Sequence, residues 1–258
     1  MKKNFINSLE FTRGELSAIV QKAIAFKKGG ELPKFPKAIL TLIFANPSLR
    51  TRLSFESGMK KMLGSVNCID AKEGWQLEYK NGAVMNGKTQ EHIKDAARTI
   101  SRYSDLVGFR KSDLIAGGNA EVWAELAADE PIQQLAYYSD KPVINMESNM
   151  FHPCQGLADL MTLVENFGVV KNKKYVLTWA PHPRSLPLAT PHSQLLTAAR
   201  FGMDVTLACP PEFMLEAGVL EIAKKEALSA GGSLNITHDQ NGLIDILVGL
   251  VFVSAGQN

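Results

Sequence analysis

The sequence has few cysteines, no strong excess of charge and no long apolar run. Its three cysteines form no CxxC pair, which argues against a disulfide framework and against secretion. The formal net charge is +2 without a block of like charges, so we expect no general nucleic-acid or membrane-surface binding. The longest apolar run, residues 243–253, is too short to span a bilayer as a helix. The first residues lack the apolar core of a signal peptide, and we expect a cytoplasmic protein.

Motifs for nucleotides and zinc are also absent. The sequence has neither a Walker motif nor GxGxxG, which disfavours a nucleotide, and no Cys/His set has the spacing of zinc ligands. The composition, with 45% hydrophobic and 21% charged residues among 258, is that of an ordinary globular protein. This length suits one large domain or two medium ones.

Apolar strand-like runs alternate with helical periodicity along the chain. A first amphipathic helix starts after Thr12, which has capping-box spacing to Glu15. One series follows, with strands predicted at 38–45, 66–69, 106–109 and 143–146 and helices at 51–63, 89–103, 120–128 and 155–166. A second series has strands at 175–180, 204–209 and 234–237 and helices at 193–201 and 215–230. We predict an α/β protein with two domains, residues 1–150 and 151–258, each a parallel sheet flanked by helices, the second incomplete.

A candidate anion pocket lies where the first strand gives way to a helix, in the segment 46–56. Free backbone N–H groups and the positive end of the helix dipole meet there, so Ser48, Thr51 and the guanidinium of Arg50 would suit a phosphate. The alternative is an ordinary N-cap followed by arginines that face solvent.

A second candidate is the sequence His-Pro-Cys-Gln at 152–155, which opens a helix. His152 can donate to a developing oxyanion, and Gln155 can donate to and accept from a planar carbamoyl or amide group. The alternative is a plain helix start with a packed histidine. Arg110 follows the strand 106–109, and ligands bind at the carboxyl ends of parallel strands.

These motifs resemble those of the aspartate and ornithine carbamoyltransferases. Ser-Leu-Arg-Thr-Arg at 48–52 is similar to the family's carbamoyl-phosphate signature, and His-Pro-Cys-Gln at 152–155 is similar to its second motif. Arg110 lies between them, and the agreement runs over about residues 5–239. The resemblance implies two α/β domains, a homotrimer with shared active sites, and no metal or organic cofactor.

Further residues resemble the branch of the family that acts on N-acylated ornithine. They are Trp75, Glu147 in Asn-Met-Glu, and the segment 179–187 with His182. The resemblance implies carbamoyl transfer to the δ-amine of N-acetyl-L-ornithine, giving N-acetyl-L-citrulline and phosphate, in arginine biosynthesis. N-succinylornithine stays open, because Gln90 matches neither the Glu of acetyl-type nor the Pro of succinyl-type relatives. His192 departs from the Asn that is usual at its position.

The resemblance also implies a role for each site residue. Ser48, Arg50, Thr51 and Arg52 would hold the phosphate, Thr51, Arg110 and His152 would stabilise the carbonyl oxygen, and Gln155 would fix the carbamoyl amide. The other substrate-binding positions implied are Leu49, Trp75, Glu147, His182 and Leu186. Trp75 would reach into a neighbouring subunit. Taken alone, Trp75 would be read as a packing aromatic, Glu147 as a surface carboxylate and His182 as part of a turn.

The C-terminal part departs from the family pattern. Family members continue past Asn258 through a His-Cys-Leu-Pro segment to a final helix, so we expect a truncated chain. Three functions are therefore open for this chain: it is an active transferase, a non-catalytic remnant that binds carbamoyl phosphate, or an assembly partner of a full-length paralogue.

Overall fold

The computed structural model describes residues 2–71, 75–113, 126–179 and 188–239, and the backbone of 251–254. The chain forms two compact units. The first unit comprises Met1–Glu10 and Gly29–Phe151, and the second comprises Phe11–Lys28 and His152–Asn258. The predicted first helix is thus grouped with the second unit.

The first unit is built on a four-stranded parallel sheet. Its strands are β1 (Ile39–Phe44), β2 (Ser65–Asp70), β5 (Leu106–Arg110) and β6 (Val143–Glu147), and they lie in the order β2-β1-β5-β6. A separate two-stranded piece pairs β3 (Leu77–Glu78) with β4 (Glu91–His92). The central strand β1 is apolar on both faces, as expected for a parallel strand that is covered on both sides.

Helices cover both faces of this sheet. They are α2 (Leu49–Lys61), α3 (Ile93–Tyr103) and α4 (Glu130–Tyr138), with a 3₁₀ turn at Ser8–Glu10. Leu42 packs with Met59 of α2 in one core cluster, whereas Ile43 packs with Ile93 of α3 and Leu135 of α4 in the other. Alternate residues of β1 therefore face opposite layers, as the two-residue period of a strand requires.

The second unit repeats this plan with four more parallel strands. They are β7 (Lys174–Thr178), β8 (Asp204–Ala208), β9 (Ser233–Thr237) and β10 (Val251–Ser254), in the order β10-β7-β8-β9. Its helices are α1 (Arg13–Lys27), α5 (Pro153–Phe167), α6 (Ala189–Arg200) and α7 (Ala217–Ala230), with a 3₁₀ turn at Pro211–Phe213. Every residue of α6 from 191 to 200 is buried, although many of them are polar.

The predicted α/β class and the parallel sheets are confirmed. The capping box at Thr12 and Glu15 is also confirmed. The prediction missed α4, β3 and β4, and it started α6 at 193 although the helix begins at Ala189. Most of the predicted helix 120–128 lies outside the described residues. No helix in the described part of the chain is long and apolar enough to cross a membrane.

Candidate active site

The carboxyl ends of β1 and β5 lie side by side at a switch point of the first sheet. The chain leaves β1 toward β2 on one side, and it leaves β5 toward β6 on the other. Phe44 pairs with Arg110, and the N–H of Ala45 donates to the carbonyl of Arg110 at 2.9 Å. Asn46 Oδ1 accepts from the N–H of Ser112 at 2.7 Å, which ties the two following loops together. Ligands of open α/β sheets bind in the crevice at such a point.

The N-terminus of α2 follows shortly after the end of β1. Ser48 is its N-cap in an extended conformation, and its side chain accepts from the N–H of Thr51 at 3.4 Å. Arg50 is exposed in the same first turn, and Leu49 is 76% exposed. Arg52 instead lies along the helix, where its Nε pairs with Oε1 of Glu56 at 2.8 Å. Ser48, Arg50 and Thr51 thus come together, whereas Arg52 forms the i,i+4 pair typical of a helix surface.

Arg110 and Glu147 form an ion pair across the neighbouring strands β5 and β6. Their side chains are only 16% and 11% exposed. Burial raises the pKa of Glu147, and the nearby Arg110 partly offsets that rise. Nε of Arg110 is buried without a hydrogen-bond partner in the described ranges. Glu147 is therefore not the solvent-facing carboxylate that it would be taken for alone, because the Arg110 guanidinium pairs with it.

The His-Pro-Cys-Gln segment starts α5 in the second unit and is held by α6. The N–H of His152 donates to Ser193 Oγ at 2.8 Å and to the carbonyl of Ala189 at 3.2 Å. Pro153 occupies the first helical position, where its missing N–H costs nothing. Burial raises the pKa of Cys154 to about 12, so this thiol stays protonated and is not a nucleophile near neutral pH.

Gln155 contacts a carboxylate that the sequence analysis did not single out. Its amide nitrogen donates to Asp159 at 2.8 Å, and Gln194 of α6 donates to the same carboxylate at 2.8 Å. Burial raises the pKa of Asp159, and the two amide donors partly offset that rise. The four-residue spacing from Gln155 to Asp159 on a helix could have indicated this contact. Gln194 is distant in sequence and gave no such signal.

Trp75 and Gln90 lie beside the short pairing of β3 with β4. The ring of Trp75 is 51% exposed, and its Nε1 donates to Glu91 Oε2 at 2.8 Å. Gln90 Oε1 accepts from the N–H of Gln76 at 2.7 Å. The amide nitrogen is therefore the part of Gln90 that can meet a ligand.

Of the other predicted positions, His182 and Leu186 lie outside the described residues. His192 is fully buried, and its Nε2 accepts from the N–H of Glu216 at 3.1 Å, which gives it a structural contact in the second unit. No cluster of His, Cys, Asp or Glu among the residues that the structure describes could hold a metal ion.

The buried carboxylate of Asp129 accepts hydrogen bonds from the loop that follows Glu147. Asp129 Oδ2 accepts from Ser148 Oγ at 2.5 Å, and its Oδ1 accepts from the N–H of Asn149 at 3.0 Å. Burial raises the pKa of Asp129 to about 6, against the opposing effect of these donors. Asp129 carries no local signal in the sequence, because its partners Ser148 and Asn149 follow a strand that is distant along the chain.

Comparison with known proteins identifies the family. The family model for the aspartate/ornithine carbamoyltransferase, carbamoyl-P binding domain, matches residues 3–165. An N-acetylornithine carbamoyltransferase from Xanthomonas axonopodis pv. citri is 39% identical over 241 residues, which cover 92% of this chain and 68% of that protein. An N-succinylornithine carbamoyltransferase from Bacteroides thetaiotaomicron is 36% identical over 155 residues, which cover 60% of this chain and 47% of that protein. The crystal structure of acetylornithine transcarbamylase complexed with acetylcitrulline matches with a TM-score of 0.84 and 40% identity, covering 92% of this chain and 70% of that one. The chain belongs to the aspartate/ornithine carbamoyltransferase family.

Proposed function

We propose that this chain transfers the carbamoyl group of carbamoyl phosphate to the δ-amine of N-acetyl-L-ornithine. The products are N-acetyl-L-citrulline and inorganic phosphate. Relatives that carry the name N-acetylornithine carbamoyltransferase support this substrate. The reaction would serve arginine biosynthesis in the cytoplasm, a compartment that suits three cysteines that form no disulfide.

The observation that carries the proposal is the capped N-terminus of α2 beside Arg110. A phosphate dianion placed there would meet backbone N–H groups, the hydroxyls of Ser48 and Thr51, and the guanidinium of Arg50. Arg52 would join them on leaving Glu56, an exchange that costs little because the pair is exposed. We therefore assign the first unit to the phosphate group of carbamoyl phosphate.

The chemistry needs charge stabilisation and positioning rather than a cofactor. When the neutral δ-amine attacks, negative charge develops on the carbonyl oxygen, and Thr51, Arg110 and His152 would stabilise it. Phosphate then leaves and accepts a proton. Gln155 would contact the carbamoyl amide, and Glu147 and His182 would face the acylated amino acid. We assign the second unit to that amino acid, with Leu186 among its contacts.

N-succinyl-L-ornithine is the second candidate substrate, and Gln90 is the observation that keeps it open. Because Oε1 of Gln90 is occupied by Gln76, its amide group would face a ligand as a donor. A donor suits the carboxylate of a succinyl group as well as the carbonyl of an acetyl group. An assay in which the two substrates compete directly therefore identifies the preferred acyl group.

We also propose a homotrimer in which Trp75 completes the site of a neighbouring subunit. The exposed apolar side chains support this arrangement, since Trp75, Leu49 and Leu53 are 51%, 76% and 55% exposed in the single chain. Co-refolding Trp75→Ala with Arg50→Ala chains tests it. Mixed trimers would contain some sites free of both substitutions and would regain activity, whereas no recovery would contradict a shared site.

The test of function offers carbamoyl phosphate with ornithine, N-acetylornithine and N-succinylornithine in separate assays of citrulline-type product. We expect turnover with N-acetylornithine and a loss on the order of 10²–10³-fold in Arg50→Ala, by analogy with other stabilising donors. Arg102→Ala, an exposed arginine in the last turn of α3, is the matched control. Turnover with ornithine alone would contradict the proposal. A folded chain that binds carbamoyl phosphate without turnover would support the non-catalytic alternative.

A further inference from the structure

A chain of three polar side chains joins α5 to α6 in the second unit. The amide nitrogen of Gln155 donates to Oδ1 of Asp159, one helical turn later, at 2.8 Å. The other carboxylate oxygen, Oδ2, accepts from the amide nitrogen of Gln194 at 2.8 Å. Asp159 thus holds two glutamines, one from each helix.

The carboxylate decides which way each amide points. A glutamine amide can present either its oxygen or its NH₂ group, but an ionised carboxylate only accepts hydrogen bonds. Both glutamines must therefore turn nitrogen toward Asp159 and oxygen away from it. In Gln194 this leaves a buried Oε1 without a hydrogen-bond partner among the described residues. In Gln155 the same constraint makes Oε1 the atom that can accept from a ligand.

Close packing of the two helices fixes this arrangement. Gly156 follows Gln155, and a Cβ there would lie 2.7 Å from Thr197 Oγ1 and 3.0 Å from the carbonyl of Ser193. Gln194 is 3% exposed on a helix that is buried all round. Gln194 therefore cannot turn away from Asp159 toward solvent, and Asp159 stays next to Gln155.

We propose that Asp159 is a positioning residue, which holds Gln155 as the hydrogen-bond acceptor for the NH₂ group of carbamoyl phosphate. The inference rests on the proposed function and deepens it, because it explains how the chain would distinguish carbamoyl phosphate from acetyl phosphate. These two compounds differ by an NH₂ group in place of a methyl group. Since a methyl group donates nothing, acetyl phosphate would leave Gln155 Oε1 without its partner.

Moving the carboxylate from position 159 to position 155 and the amide from 155 to 159 tests the proposal. Gln155→Glu alone would place two carboxylates against each other, and we expect carbamoyl-phosphate affinity to fall at least about 100-fold, the order of loss seen for one misplaced polar group. Adding Asp159→Asn keeps the net charge of the wild-type pair. The amide introduced at 159 can donate to the inner oxygen of the carboxylate introduced at 155 while accepting from Gln194, which returns an acceptor to the ligand. We expect this double variant to regain at least about tenfold in affinity over Gln155→Glu.

The single variant Asp159→Asn gives a second readout. An amide at 159 can satisfy Gln155 in either orientation, so we expect roughly tenfold weaker carbamoyl-phosphate binding and a smaller preference over acetyl phosphate. Glu165→Gln, farther along α5 and paired with Lys27, is the matched control and should change neither. Binding is measured by calorimetry with each phosphate, and kcat and KM are measured beside it.

The outcomes separate this inference from the proposed function. A double variant no better than Gln155→Glu, or an Asp159→Asn variant with the wild-type preference, overturns the role of Asp159 even if the wild type is active. If the wild type shows no turnover but binds carbamoyl phosphate, and Asp159→Asn weakens that binding, the inference is supported and the proposed enzymatic function is contradicted. A folded wild type that binds no carbamoyl phosphate overturns both.

Discussion

Replacing Asp129 with asparagine should remove a pH dependence from the stability of the first unit. The residue is 4% exposed and lies at φ 53°, a left-handed conformation that asparagine tolerates. Asparagine can still accept from the N–H of Asn149, as the carboxylate does at 3.0 Å. The substitution therefore preserves the packing and removes the titration, while an amide NH₂ group replaces the oxygen that accepts from Ser148 Oγ.

The magnitude follows from the pKa of Asp129, which burial raises from 3.8 to about 6. Because the pKa is higher in the folded protein, the folded state binds this proton more tightly than the unfolded chain. The contribution to stability is full below pH 3.8 and is lost as the pH rises through about 6. At about 1.4 kcal/mol per pH unit the total is about 3 kcal/mol, of which about 2 kcal/mol falls between about pH 4 and pH 7.

Hydrogen exchange of β1 and β5 measures this loss in the first unit alone. Wild type and Asp129→Asn are compared at the same pH, so that intrinsic exchange rates cancel. We expect the wild-type free energy of opening to fall by about 2 kcal/mol relative to the variant from about pH 4 to pH 7. Asp95→Asn, at an exposed position on α3, is the control. Parallel profiles for wild type and Asp129→Asn would refute the reasoning.

Three further predictions concern packing at Gly156, the ion pair of Arg200 and the helix cap at Ser48, and urea denaturation tests each of them. Gly156→Ala should lower the free energy of unfolding by about 1–3 kcal/mol, because its added methyl group would meet close contacts. Gly58→Ala on α2 faces open space and should raise the free energy of unfolding by about 0.5–1 kcal/mol. Equal effects of the two substitutions would contradict the close packing at Gly156. Arg200→Met should lower the free energy of unfolding by about 1–3 kcal/mol, because it leaves the half-buried Glu226 without the guanidinium that lies 3.0 Å away, and an unchanged free energy of unfolding would contradict this role of the pair. Ser48→Ala should cost about 1 kcal/mol by removing the cap of α2, and Ser48→Asp should restore it; failure of Asp to do so would count against capping.

Local signals predicted the β1–α2 junction well. The apolar run ends at Asn-Pro, and Ser48 supplies the cap, so the strand, the turn and the helix start are all encoded within a short segment. The helix predicted from 193 in fact begins at Ala189, and Pro191 lies within its first turn, where a helix tolerates proline. Helix α4 was missed despite a proline at its second residue, which is a known start signal.

Contacts between distant segments could not be predicted in the same way. Arg110 and Glu147 were both named as candidates, yet their pairing depends on β5 lying beside β6, which no local pattern specifies. Ser193 and Gln194 were not named as candidate site residues, because their contacts come from the packing of α6 against α5. Local patterns thus pointed to residues with recognisable chemistry, whereas the neighbours that contact them depend on the fold.

The complete burial of α6 from 191 to 200 predicts how this helix tolerates substitution. An amphipathic helix such as α2 accepts changes on its outer side, so its sensitivity to substitution should rise and fall with a period of about 3.6 residues. From 191 to 200 the helix α6 has no outer side. A saturation scan should therefore find continuous sensitivity along α6, and a homologous chain can vary there only by coordinated changes in the helices around it.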